Sequence, residues 1–279
     1  MAWSNDGTVH KTGIANEKET TKFLQENAHL IYGHLGVEKD NYTVRGVGGT
    51  KHKEDNVIEC DDGAKVYISD KLKKKGLGGS ITWINSSELM KEFYVNSTRE
   101  NTLKIQSVVD EAQRVRDLPL EERAPLKDHF DKLVTEASQS FLSGLTSDEI
   151  LSILKTAINK KDGKEMQILI TDGKENKRYT FPFSDHPVFG LIENGYTPEI
   201  KIDKDARSGK LLFSKDSETV DVWLRFYCKT NNGQTALIDA KGRRERKAKG
   251  NSRSDWTFNL QQDGLKNLVN YMGIEPIEI

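Results

Sequence analysis

Only two cysteines, Cys60 and Cys228, occur in the 279 residues of this chain. Neither lies in a Cys-x-x-Cys pair, and no Cys/His cluster has zinc-finger spacing, which argues against a zinc module and a disulfide framework. Both are expected as free, buried thiols of strands in a reducing compartment. Long apolar runs are missing too, so no segment is expected to span a bilayer. Met1 to Asp6 shows no basic region followed by an apolar core, and a cytoplasmic protein is expected. Net charge is scarce, at −1, so overall charge does not favour nucleic acid. There is no Gly-x-Ser-x-Gly elbow, no His-Glu-x-x-His, and no Walker A lysine after Gly76 to Ser80. These gaps remove serine hydrolases, zinc proteases and P-loop enzymes from consideration.

What is present is a polar chain, 35% hydrophobic and 30% charged, long enough for one large domain or two small ones. Its positive charge is concentrated. Residues 71 to 75 hold four lysines, and residues 241 to 253 hold seven Lys/Arg against one acid, Glu245. Such tracts bind phosphates locally even in a neutral protein.

Apolar spacing predicts an amphipathic helix over 14–32 and short strands over 44–47, 56–60 and 64–72. The last two are joined by Asp61-Asp62-Gly63, a hairpin signal. Ser86 and Ser87 are candidate caps for a helix from Glu88. A mostly helical region then runs to about Asn159, with a cap signal at Thr146-Ser147-Asp148-Glu149. Beyond Gly163 the pattern turns to strands, over 166–171, 178–183, 199–202, 211–214, 220–229 and 235–240. A strand-to-helix or wholly helical segment over 255–272 follows.

The chemistry centres on the first hairpin. Asp55 precedes its incoming strand, and Ser69 and Lys71 lie on its outgoing strand, sharing one face by alternation. A two-residue turn sets Asp55 opposite Asp70; a turn one residue different sets it opposite Ser69. A carboxylate beside a lysine at the end of a strand pair suits metal-assisted phosphodiester hydrolysis. Mg²⁺ takes oxygen ligands, polarises the phosphate and lowers the pKa of bound water. A lysine positions that water or offsets developing charge. Alternation sends Asp70 toward the apolar side, an awkward position unless the strand bends or reaches a sheet edge there.

The run Gly49 to Ile58, followed after a turn by Val66-Tyr67-Ile68-Ser69-Asp70-Lys71, resembles the core of the PD-(D/E)XK nucleases. Asp55 matches the family's first Asp and Lys71 its Lys. Ser69 stands where Asp or Glu is usual, which removes one metal ligand. The resemblance covers roughly residues 11–90. It implies a carboxylate from the preceding helix, Glu17 with Glu19 in reserve.

The expected fold is α/β (α+β): a mixed-sheet restriction-endonuclease-like core at 1–90, a helical insertion at 91–160, and a β-rich, DNA-binding portion at 161–279. The resemblance implies a Mg²⁺-dependent endonuclease, with Mn²⁺ as a substitute, acting on double-stranded DNA as a homodimer. Asp55 and Glu17 would hold metal, and Asp55, Ser69, Lys71 and Glu17 would form the catalytic group. Lys73, Lys74, Lys75, Lys241, Arg243, Arg244, Arg246, Lys247 and Lys249 would contact DNA, with Gln261 and Gln262 as weaker base readers. A degrading or homing nuclease of phage or virus, an inactive DNA-binding protein, and a helical interaction module are the alternatives.

Overall fold

The computed structural model describes residues 8–47, 54–86, 110–111, 114, 118–119, 122, 124–204, 207–230 and 256–277. Helix α1 (Thr8–Tyr32) leads into strands β1 (Tyr42–Gly46), β2 (Asn56–Cys60), β3 (Lys65–Lys73) and β4 (Ile81–Ser86). Helices α2 (Lys127–Gly144) and α3 (Ser147–Thr156) follow, then the two-residue strands β5 (Lys160–Lys161) and β6 (Lys164–Glu165). Next come β7 (Gln167–Asp172), β8 (Lys177–Pro182), helix α4 (Pro187–Glu193), β9 (Thr197–Ile202), β10 (Ser208–Lys215), β11 (Glu218–Thr230), β12 (Trp256–Gln262) and helix α5 (Leu265–Tyr271). The protein is thus mixed α and β, and among the described residues no helix is long and apolar enough to cross a membrane.

The chain forms two compact units. The first takes Met1–Gly79, Thr156–Gly190 and Gly264–Ile279; the second takes Ser80–Lys155 and Leu191–Asp263. This division cuts across the three consecutive segments expected from the sequence. The reason is strand pairing. β3 and β7 run parallel, and parallel neighbours require a crossover rather than a hairpin. That crossover leaves the first unit and carries the opening segment of the second.

The sheet of the first unit has the order β1-β2-β3-β7-β8. Every pair is antiparallel except β3 with β7, so the sheet is mixed. Helix α1 covers one face because its apolar residues repeat at helical spacing. Leu24, Ala28, Ile31 and Tyr32 pack with Val44, Ile58, Val66, Ile68 and Leu169. Full burial of each large aliphatic side chain is worth about 1.5–3 kcal/mol, so this seam fixes the helix on the hairpin. Arg178 of β8 lies 3.9 Å over the Phe23 ring. The helix ends at Gly33–Leu35, a single 3₁₀ turn, and Gly36 at φ 86° donates its N–H to the Gly33 carbonyl at 3.0 Å.

The second unit has a five-stranded sheet in the order β4-β12-β11-β10-β9, antiparallel throughout. Val222, Leu224, Phe226, Leu211, Phe213 and Leu260 are among its buried strand residues. Thr146 and Glu149 form the capping box of α3: Thr146 N–H donates to Glu149 Oε2 at 2.8 Å, and Glu149 N–H to Thr146 Oγ1 at 3.4 Å. Ser86 ends β4 and pairs with Phe258 of β12. The expected helix from Glu88 and the strand over 235–240 begin or lie outside the described residues.

Candidate functional site

The first hairpin determines the site. Asn56 pairs with Ile68, and Cys60 N–H donates to the Ala64 carbonyl at 2.8 Å. Three residues, Asp61 to Gly63, therefore make the turn. Gly63 takes φ 83°, a left-handed conformation suited to glycine. The sequence left two registers open, and this turn selects the one with Asp55 opposite Ser69.

Continuing that register puts Asp55, Ser69 and Lys71 on one face, with Val57 and Tyr67. Asp55 N–H donates to the Ile68 carbonyl at 2.8 Å. One step further, the Asp70 N–H donates to Asp55 Oδ2 at 2.7 Å. The Asp55 carboxylate thus supplies the acceptor where the β2–β3 ladder ends, and this bond fixes its orientation. Burial raises the Asp55 pKa, and that effect outweighs the Asp70 amide, the Lys71 ammonium and the Ser69 hydroxyl bond, all of which favour the carboxylate. Neighbouring Glu54 adds to the rise. Glu54 is itself buried, with Lys161 Nζ at 3.3 Å. The Tyr67 hydroxyl donates to Asp162 Oδ2 by a short hydrogen bond.

Asp70 lies on the other face, toward α1. Thr20 Oγ1 donates to Asp70 Oδ2 at 2.6 Å, and Thr21 Oγ1 donates to Asn56 Oδ1 at 2.6 Å. No bend in β3 is needed: alternation does send Asp70 inward, and Thr20 of the helix receives it. Burial is the main reason its pKa rises to about 6; the Asp55 charge adds to it, while Thr20, Lys71 and Arg178 oppose it. Sequence reasoning missed Thr20 and Thr21. Their signal was legible, since Thr20 continues the i, i+4 stripe through Leu24 and Ala28 as a polar residue in an apolar row.

Glu17 lies one helical turn before Thr21, whose hydroxyl donates to the Glu17 carbonyl at 2.8 Å. Thr21 also bonds Asn56, so α1 sets the Glu17 backbone beside the hairpin on the Asp70 face, opposite Asp55. Glu19 lies 3.7 Å from Arg178 Nη2 and is engaged there. Among the described residues no group of three or more His, Cys, Asp or Glu side chains is placed to hold a metal ion. The oxygen donors at the hairpin are the Asp55 carboxylate and the Ser69 hydroxyl. That set fits Mg²⁺, which is commonly held by one or two carboxylates with water and substrate phosphate, and it does not fit a closed all-protein cage.

Of the expected phosphate contacts, Lys73 is partly exposed and burial lowers its pKa, whereas Lys74 and Lys75 are exposed in the turn after β3. Lys241, Arg243, Arg244, Arg246, Lys247 and Lys249 lie outside the described residues. Gln262 is no base reader. It is fully buried, and its amide donates to the carbonyls of Val222, Trp223 and Asp263 at 3.0, 3.2 and 3.1 Å. Cys60 and Cys228 are buried thiols in strands, outside any disulfide, as expected. Comparison with protein-family models, curated proteins and solved structures found no match.

Proposed function

We propose that this chain is a Mg²⁺-dependent endonuclease of the PD-(D/E)XK, restriction-like kind, hydrolysing phosphodiester bonds in double-stranded DNA as a homodimer. One observation carries the reading: Asp55 stands opposite Ser69, with Lys71 two residues on and on the same face, where the β2–β3 ladder ends. Asp55 would hold the cation, helped by Glu17. Mn²⁺ has the same oxygen-ligand chemistry and would substitute. When bound, the cation polarises the phosphate and acidifies its water. The chain's own residues do the rest. The Asp70 amide and Ser69 hydroxyl hold Asp55 in place. Lys71 orients the attacking water by donating to it and offsets charge developing on the phosphate. Lys73, Lys74 and Lys75 follow Lys71 after Leu72 and would hold the strand backbone.

The second reading is a DNA-binding protein without catalysis. Two observations favour it: serine occupies the usual acidic position, and Asp55 already serves as a strand-end acceptor. Incubation of the purified chain with long duplex DNA, in Mg²⁺ or in EDTA, separates the two. Discrete fragments that require Mg²⁺ support a site-specific nuclease, and a smear supports a degrading enzyme. Retained binding without cleavage supports the second reading.

A further inference from the structure

The first unit also contains a cavity of about 730 Å³, within the size range of small-molecule sites. It lies beside the carboxyl ends of the two parallel strands, where open α/β sheets commonly bind ligands. Gly76 to Gly78 form one wall, the β7–β8 turn another, and α5 with the chain after it a third. Hydrogen bonds hold these walls together. The Lys73 carbonyl accepts both Gly76 N–H at 3.0 Å and Gly173 N–H at 3.1 Å. Lys266 N–H donates to the Leu77 carbonyl at 3.2 Å, and Ile277 N–H to the Arg178 carbonyl at 2.8 Å. Gly76 takes φ 82°, so the glycine loop is shaped for this turn.

Chemistry divides the lining. Leu77, Tyr179 and Val269 are buried and give an apolar floor, whereas Lys75, Lys174 and Lys266 are exposed and form a cationic rim. Among the described residues none of these three lysines has a carboxylate within ion-pair distance. Two of the nearby acids are engaged already. Asp172 Oδ1 accepts the Lys174 and Glu175 N–H groups at 2.9 and 3.1 Å, and Glu175 holds Lys177 at 3.0 Å. Glu275 remains as an acceptor for a hydroxyl.

We propose that this cavity is a nucleotide site, with the phosphate on Lys174 and Lys266 and the sugar and base against the apolar floor. The register puts Asp172 beside Lys73, two residues beyond Lys71 and on its face, roughly 7 Å along the strand. The nucleotide has two possible sources, a free mononucleotide or the phosphorylated end of a DNA strand. The strand-end form rests on the nuclease reading; the free-nucleotide form does not.

The test is calorimetry on the full chain in EDTA, which blocks metal-dependent cleavage. The probes are deoxyadenosine monophosphate, deoxyadenosine, and a short single strand with and without a 5′-phosphate. The expected result is binding of the monophosphate with at least tenfold loss for deoxyadenosine. The double variant Lys174→Ala with Lys266→Ala should lose affinity at least tenfold at unchanged Tm, while Asp55→Asn should keep it. A 5′-phosphorylated strand binding tenfold tighter than the mononucleotide identifies the strand end, and equal affinity identifies the free nucleotide. No binding, or equal binding by the lysine double variant, overturns the proposal. Cleavage lost in Asp55→Asn with nucleotide binding intact would leave both conclusions standing, because the two sites are read separately.

Discussion

The two faces of β3 differ more than adjacent residues usually do. Ser69 and Lys71 share a face with Asp55, and Asp70 between them is enclosed against Thr20 of α1. Both faces carry a carboxylate whose pKa burial pushes up. On one face the acid stands beside an ammonium and a hydroxyl at the end of a ladder. On the other it takes a helix hydroxyl and anchors the helix. Residue type therefore does not tell these two acids apart; the face and the partners do.

The largest effect should come from the face of Asp55 and Lys71. Asp55→Ala and Lys71→Ala should each lower cleavage by roughly 10²–10³-fold, the scale of losing one preorganised charge-stabilising group, with duplex binding retained. Gel assays of fragment formation beside filter binding will check this. Cleavage at the parent rate by either variant sinks the assignment. The pH profile should agree in sign. Because the Asp55 pKa is raised, its carboxylate forms only above the usual aspartate range, and cleavage should fall on acidification earlier than for an exposed aspartate.

The anchoring face should show itself in stability. Asp70 has a native pKa of about 6, above its ordinary 3.8. Between those values the native state binds the proton more tightly than the unfolded chain. The contribution is therefore full below about pH 4 and is lost as pH rises through about 6, by at most about 3 kcal/mol. Asp70→Asn keeps the shape and removes the titration. Its denaturation free energy should vary less than the parent's between pH 4 and pH 7, and urea melts at the two pH values decide it. Parallel curves for both proteins would mean that Asp70 is not the titrating group.

Much of this contrast was legible in the sequence. Alternation placed Ser69 with Lys71 and sent Asp70 inward, because a strand's period leaves only two faces. The cap box at Thr146 and the strands from Gln167 to Lys215 followed from local pattern in the same way. The register was undecided, since Asp61-Asp62-Gly63 fits loops of two or three residues and only the Cys60–Ala64 bond selects between them. Non-local pairing was invisible: nothing near Lys71 announces that β3 has β7 as its parallel neighbour. Nor does anything near Ile81 to Ser86 announce β12 as the partner of that strand.

Two hydroxyls, one per face, sharpen the comparison. Thr20→Val removes the donor to a buried carboxylate with almost no change of shape. It should cost about 1–3 kcal/mol in urea melts and move the Asp70 pKa further up, since the Thr20 bond lowers it.

Ser69→Ala is the counterpart, and its effect should be the smallest. The Ser69 hydroxyl bonds the Asp55 carboxylate, which keeps the Asp70 amide as a partner at 2.7 Å. Losing one of two supports should loosen Asp55 without freeing it, so a drop of about tenfold in kcat is expected, equivalent to about 1.4 kcal/mol. Stability should barely change, because alanine fits a strand and the carboxylate still has the amide. The two variants therefore make a reciprocal pair, Thr20→Val acting on Tm and Ser69→Ala on kcat. If Ser69→Ala lowered Tm as much as Thr20→Val while leaving cleavage intact, both faces would be anchoring faces and Asp55 would be a strand-end cap.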